Sequence, residues 1–287
     1  MVILQAIILG IIQGLTEFIP ISSSAHLIIV PWLFGWSDPA LTSLTFDVAL
    51  HMGTLLAILV FFARDWWTLI KAAIFSIKEW KIGADIDRRL VWLLVIATIP
   101  GGIAGVLFES KIDNWFHQPG VPILSSAMII MAVIIAATGL LLFLAEQFIQ
   151  HTRDLKELTL KDSILIGLSQ ALAIFPGVSR SGITISTGMA LKLKREAAAK
   201  FSFMLSAPII AGAGLKSLWD LFHQFRAGTL ASSDLVLFPI GFLFAAVTGF
   251  FCIQYLMRYL QKNSTRVFVY YRWGLAILVV VVALLRH

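Results

Sequence analysis

Six apolar stretches, at 42–63, 90–108, 122–146, 200–219, 234–257 and 267–285, decide what this chain can become. About 20 apolar residues in a helix span the hydrocarbon core of a bilayer. In that solvent every backbone N–H and C=O must be satisfied internally, which restricts spanning structures to helices and closed barrels. Long uninterrupted apolar runs select the helix. The charge content agrees, because only 13% of residues are charged, where soluble domains carry roughly 25%. The expectation is an all-α polytopic membrane protein.

Two segments break the pattern. Residues 2–34 hold two short apolar pieces around Gln13-Gly-Leu-Thr-Glu-Phe-Ile-Pro-Ile-Ser-Ser-Ser-Ala-His26. Pro20 has no N–H to donate and biases Ile19 away from the helical region. Ser22, Ser23 and Ser24 are candidates to cap the helix that follows. Residues 163–191 are again two short pieces, around Phe175-Pro-Gly-Val-Ser-Arg-Ser-Gly182. No piece is long enough to cross alone, so each pair reads as a re-entrant hairpin. Both breaks must then be buried in protein or line a wet cavity.

The two hairpins are related by an offset of 157 residues. It places Gln13 on Gln170, Leu15 on Leu172, Phe18 on Phe175, Ser22 on Ser179 and Ser24 on Ser181. In the next span an offset of 155 places Phe46 on Phe201 and Leu50 on Leu205. The reading is one integral membrane domain of two repeats, about 1–150 and 151–287, each a re-entrant hairpin plus three transmembrane helices. Three is odd, so the repeats are expected to be inverted, with their tips approaching the midplane from opposite faces.

Segments 64–89, 149–162, 192–200 and 258–272 carry six, three, four and four Lys or Arg. By the positive-inside rule they face the cytoplasm, and Lys111, Lys216, Arg226 and Arg286 belong to the other side. Both termini and the base of the first hairpin are then extracytoplasmic. Trp66, Trp67, Trp80, Trp115, Trp219 and Trp273 fall near span ends, at headgroup depth. The net charge of +6 is accounted for by topology, so nucleic acid is not expected as a partner. The N-terminus lacks a basic region and an Ala-x-Ala site and does not read as a signal peptide. The single Cys252 sits in an apolar run and gives no disulfide or Cys-based metal framework.

Arg180 fits neither charge group. At the tip of the second hairpin it is an intramembrane cation, which needs a partner. Glu17 and an anionic ligand are the natural ones. Gln13 and Glu17 share a helix face, and Ser22 and Ser23 lie one turn before His26, which makes that imidazole a candidate base for a hydroxyl nucleophile. A helix starting near Ser181 aims its positive end at an anion. A guanidinium, hydroxyls, a carboxylate and an imidazole suit a phosphate or diphosphate, with Glu17 and Gln13 holding a divalent cation. Each feature also has a plainer reading: a structural Glu17–Arg180 pair, serines packing against backbone, an interior His26, and an ordinary turn at Pro176-Gly177. Asp47 and His51, four apart in the next span, read foremost as a helix-internal polar pair, otherwise as support for the site.

At these residues the sequence resembles the bacterial undecaprenyl-diphosphate phosphatases, the bacitracin-resistance proteins. The segments 13–26 and Pro176-Gly-Val-Ser-Arg-Ser-Gly-Ile-Thr184 look like that family's two signature motifs, and Asp47-Val-Ala-Leu-His51-Met-Gly-Thr also resembles a family segment. The resemblance covers essentially the whole chain. It implies hydrolysis of the terminal phosphate of undecaprenyl diphosphate, regenerating the carrier lipid for peptidoglycan synthesis at the bacterial cytoplasmic (inner) membrane; the charge count places the active site on the extracytoplasmic side. The resemblance also implies a divalent cation, Mg²⁺ or Ca²⁺, at Glu17 and Gln13. By motif position Ser23 falls on the proposed nucleophile with Ser22 adjacent, His26 on the catalytic histidine, and Ser179, Arg180 and Thr184 on phosphate-binding residues; Ser181 lies among them. Serine and histidine both remain open as the attacking group, and a homodimer is an open oligomeric state. The rival readings are a polyprenyl-phosphate transporter or flippase, since broken helices meeting at the midplane also serve transport, and a resistance protein that sequesters lipid without cleaving it.

Overall fold

The structure, a computed structural model, describes residues 1–83, 85–116, 125–226 and 234–286. Among them the regular elements are helical, with eleven α-helices and no strands. In order these are α1 (Val2–Thr16), α2 (Ser23–Phe34), α3 (Leu44–Phe61), α4 (Ala63–Glu79), α5 (Ile86–Phe116), α6 (Ser125–Phe148), α7 (Leu160–Ala171), α8 (Arg180–Ala190), α9 (Arg195–Arg226), α10 (Asp234–Lys262) and α11 (Arg266–Leu285). Six of them, α3, α5, α6, α9, α10 and α11, are long and apolar enough to cross a membrane. They coincide with the six runs read from sequence, except that 122–124, the start of the third, lie outside the described residues, as do the side chains of Lys111 and Trp115.

The short helices dock through small residues. Ala6, Gly10 and Gly14 repeat every four positions along α1, and this stripe meets Gly241, Ala245 and Gly249 of α10. A Cβ on Gly10 would lie 2.7 Å from the carbonyl oxygen of Gly241. On α7 the stripe is Ser163 and Gly167, against α5: a Cβ on Gly167 would lie 2.6 Å from the carbonyl oxygen of Ala97, and Ser163 donates to the carbonyl of Leu93 at 2.5 Å. Close backbone approach through small residues replaces the missing hydrophobic drive between helices in lipid. The 157-residue offset carries Ala6 to Ser163 and Gly10 to Gly167. The first half thus lends α5 to the second half's short helix, and the second half lends α10 to the first's. Between the halves, α3 packs on α9 and α6 on α11.

Both breaks end the same way. Ser22 (φ 79°, ψ 96°) caps α2 by accepting from Ala25 N–H at 3.4 Å. Ser179 (φ 68°, ψ 108°) caps α8 by accepting from Gly182 N–H at 3.0 Å. In each, the cap hydroxyl lies 3.3 Å from that of the serine two residues on, Ser24 or Ser181. A positive φ is costly for serine and persists only where its surroundings enforce it.

Two features depart from the sequence reading. Part of the basic segment 64–89 is α4, an amphipathic helix that buries Leu69 and Ala72 and exposes Trp67, Ile70 and Ile74 beside Lys71. At 17 residues, interrupted by Arg64, Asp65 and Lys71, it is shorter and more charged than the six spans. Arg272, counted with the basic segment 258–272, is wholly buried. That segment keeps Arg258, Lys262 and Arg266 for the charge argument.

Polar ties hold the ends carrying the basic segments. Glu146 at the end of α6 takes two bonds each from Arg195 Nε and the Thr265 residue, and one at 2.5 Å from Arg195 Nη2. Asp162, in the first turn of α7, accepts from Arg153 at 2.6 Å and from the Thr159 N–H at 2.9 Å. Burial pushes its carboxyl pKa up, but these donors outweigh burial and hold it below the usual value.

Candidate active site

The site is built where four helices present one polar group each to Glu17. This residue follows the last turn of α1, its N–H still bonded to the Gln13 carbonyl at 2.9 Å, and it is buried. Arg180, the first residue of α8, is ion-paired through Nη2 to Glu17 Oε1. Ser23, the first residue of α2, donates its hydroxyl to Oε2 at 2.6 Å. Gln13 Nε2 donates to the same oxygen at 3.0 Å from one turn back. His51 Nε2 on α3 stands 3.5 Å from it. Two residues brought together by the charge argument alone, Arg180 and Glu17, are therefore in contact.

Beside them lies a cavity of about 280 Å³, whose polar lining includes Glu17, Ser23, His51, Gln170, Ser179 and Arg180. Leu44, Ile112, Ile174 and Ile209 supply apolar wall. Ser22 also lines it. A carboxylate, a guanidinium and hydroxyls around one apolar-walled space can bind a phosphate and deliver an oxygen nucleophile to it.

Other expected site residues face elsewhere. His26 is buried with Nδ1 at 2.6 Å from the Ser22 carbonyl and Nε2 at 2.8 Å from the Tyr271 hydroxyl. A nitrogen facing a carbonyl carries the proton, so Nε2 accepts from Tyr271 in the neutral ring. His26 does not line the cavity, nor do Gln13, Ser181 and Thr184. Thr184 bonds its own helix at the Arg180 carbonyl, 2.7 Å, and Ser202 at 2.7 Å. Ser181 donates to the Ile19 carbonyl at 3.4 Å, tying the second break to the first.

His51 was read foremost as half of a helix-internal pair with Asp47. The ring does bond Asp47, through Nδ1 to its main-chain carbonyl at 2.7 Å, and this turns Nε2 toward Glu17. The spacing of four marked the residue, but nothing in it shows which way the second nitrogen points. Gln170 was legible only as the repeat mate of Gln13. It is buried, lines the cavity, and keeps a side-chain oxygen without a donor. Gln13 likewise keeps a buried Oε1 without a donor, beside Glu17.

Fold and site together define a multi-pass helical membrane protein with a buried carboxylate, guanidinium and hydroxyl at one cavity. The chain belongs to the bacitracin resistance protein BacA family, which matches residues 6–278. Proteins named undecaprenyl-diphosphatase are similar to it end to end. That of Caldicellulosiruptor bescii is 44% identical over 98% of both chains, that of Moorella thermoacetica 44% over the full length of both, and that of Methanobrevibacter smithii 43% over 96% of both.

Proposed function

We infer that this protein is an undecaprenyl-diphosphatase. It hydrolyses the terminal phosphate of undecaprenyl diphosphate, gives undecaprenyl phosphate and inorganic phosphate, and so confers bacitracin resistance. The observation that carries the reading from family to chemistry is the convergence of Ser23 and Arg180 on Glu17 at the cavity wall.

In the proposed mechanism the terminal phosphate sits between Arg180 and the first turn of α8, where guanidinium and helix end both favour an anion. Ser23 Oγ attacks phosphorus, the bridging P–O bond breaks, and undecaprenyl phosphate leaves. Water then cleaves the phosphoserine. Glu17 Oε2, already accepting the Ser23 hydroxyl, is placed to take its proton. The family resemblance assigns the acid–base role to His26. For His26 to fill it, its Nε2 must exchange the Tyr271 hydroxyl for Ser23 or a phosphate oxygen. Ile174 and Ile209 give the isoprenoid chain an apolar wall to leave by.

The residues fit a divalent cation, Mg²⁺ or Ca²⁺. Both ions take oxygen ligands, and Glu17 with the donorless Gln13 Oε1 would hold one. A cation there would supply the positive charge a diphosphate needs, because Glu17 already pairs with Arg180.

For the architecture we propose inverted repeats with two re-entrant hairpins. The exchanged pairings α1–α10 and α7–α5 and the matching serine caps support it. The alternating basic segments favour a site opening to the extracytoplasmic face of the cytoplasmic membrane. Cysteine placed near Gly35, in a Cys252→Ser background, is expected to react with an impermeant thiol reagent in intact cells, and cysteine near Ile82 to stay unlabelled. The opposite labelling inverts the topology.

Purified protein in detergent, given a polyprenyl diphosphate, is expected to release inorganic phosphate and to stop on EDTA. Lipid movement across vesicles without phosphate release would favour the transporter reading instead.

A further inference from the structure

Among the described residues Arg272 is the largest fully buried side chain. Among these residues its guanidinium donates to neutral oxygens. Nε donates to the Ile135 carbonyl at 3.0 Å, and Nη1 to the Pro20 carbonyl at 3.0 Å. Nη2 donates to the carbonyls of Gly177 at 2.8 Å and Val178 at 3.3 Å, and to the Thr138 hydroxyl. None of these partners is a carboxylate. A guanidinium carries five donors and no acceptor, and here they are shared among α6, the first break and the second.

The sharing follows the repeat. Pro20 and Gly177 are 157 residues apart, so one side chain holds equivalent carbonyls of both breaks. Each clamped carbonyl stands just before a strained serine: Pro20 two residues before Ser22, Val178 immediately before Ser179. Strained backbone lasts only where the surroundings over-determine it, and Arg272 is the group that touches both places. The caps Ser22 and Ser179 in turn start the helices that carry Ser23 and Arg180.

The charge matters as well as the fork. A Cβ on Gly182 would come 3.1 Å from Arg272 Nη1, so the guanidinium packs under the first turn of α8. Glu17 is paired with Arg180, whereas Arg272 has only dipoles around it. An unpaired cation inside a membrane protein is costly, and in most cases functional.

We propose that Arg272 is a positioning residue for the phosphate site: it locks both helix breaks in register, and its uncompensated charge draws the anion to the start of α8. The inference rests on the cavity being the phosphate site. The test is to measure kcat and KM on a polyprenyl diphosphate, and the inhibition constant of inorganic phosphate, for wild type, R272K, R272M and G182A. R272M is expected to lose kcat by about 10- to 100-fold, the usual cost of removing a group that orients the reacting residues, and to bind phosphate more weakly. R272K keeps the charge without the fork, so its phosphate inhibition should return toward wild type while kcat stays depressed. G182A crowds both Nη1 and the Ser179 cap without altering charge, and should lower kcat with little change in phosphate inhibition. Wild-type kinetics in folded R272M, or in both R272K and G182A where R272M does not fold, overturn the proposal. So does R272K losing phosphate inhibition as fully as R272M. A wild type that releases no phosphate removes the functional reading, and this inference with it.

Discussion

The two helix breaks share a positive-φ serine cap and differ in nearly every functional side chain. Ser22 and Ser179 adopt the same positive-φ cap, each 3.3 Å from a second serine hydroxyl. Under the offset of 157, however, Glu17 faces Ile174, Ser23 faces Arg180, and His26 faces Ile183. The offset pairs two helix starts with the same kind of serine cap. The side chains break the symmetry: the Ser23 hydroxyl and the Glu17 carboxylate stand on the first, the Arg180 guanidinium on the second. Ser23 and Arg180 meet at Glu17, and in the proposed mechanism Arg180 grips the phosphate that Ser23 attacks.

That division can be broken most sharply at the second end. Arg180→Ala is expected to cut turnover by about 10³-fold, the scale of losing a principal transition-state donor. Arg180→Lys should remain severely impaired, since a lysine keeps the charge but not the bidentate fork. Near-normal phosphate release by either folded variant would take Arg180 out of the site. At the first end, Ser23→Ala should fall about as far, and His26→Ala combined with it should cost little more, because residues acting as one unit are non-additive. A Ser23→Ala enzyme that keeps substantial turnover while His26→Ala is dead would move the attack to His26 or to water.

Much of this contrast was legible from sequence. The six spans follow from length and apolarity alone. Arg180 declared itself because a charge far from the basic segments needs a partner, and only Glu17 sat on a matching break. Other parts depend on packing that no local pattern encodes. His51 turns to Glu17 because its other nitrogen takes the Asp47 carbonyl. His26 turns away because Tyr271, 245 residues distant, offers a hydroxyl. Arg272 looked cytoplasmic because it follows Arg258, Lys262 and Arg266, yet α11 carries it into the core. The stripe Ala6, Gly10, Gly14 could have been noticed by its spacing of four, but its partner on α10 lies more than 200 residues away.

The scaffold half of the comparison predicts equality where the chemistry predicts difference. Gly10→Val and Gly167→Val each push a side chain into a facing backbone, and overpacking of this kind costs about 1–3 kcal/mol. Melting in detergent should show two similar drops. A large drop for one and none for the other would argue that the two docking seams are not equivalent.

The smallest effect concerns pH. The Asp162 carboxyl is held below its usual value by Arg153 and Thr159, so its contribution to stability is complete above the unfolded pKa and lost as pH falls through the folded one. The deficit of Asp162→Asn relative to wild type should be equal at pH 7 and pH 5 and shrink only below about pH 4. A deficit that grows on acidification would reverse the sign assigned here.

The central claim is that the first break delivers Ser23 to a phosphate held by the second. It is tested most directly by trapping the covalent intermediate. Substrate labelled in its terminal phosphate would be mixed with excess enzyme, quenched in acid and, in parallel, in base, and the protein mapped for label. The expected result is acid-stable label on Ser23. Label on His26 that survives base and is lost in acid, or full single turnover with no label on the protein, would contradict it.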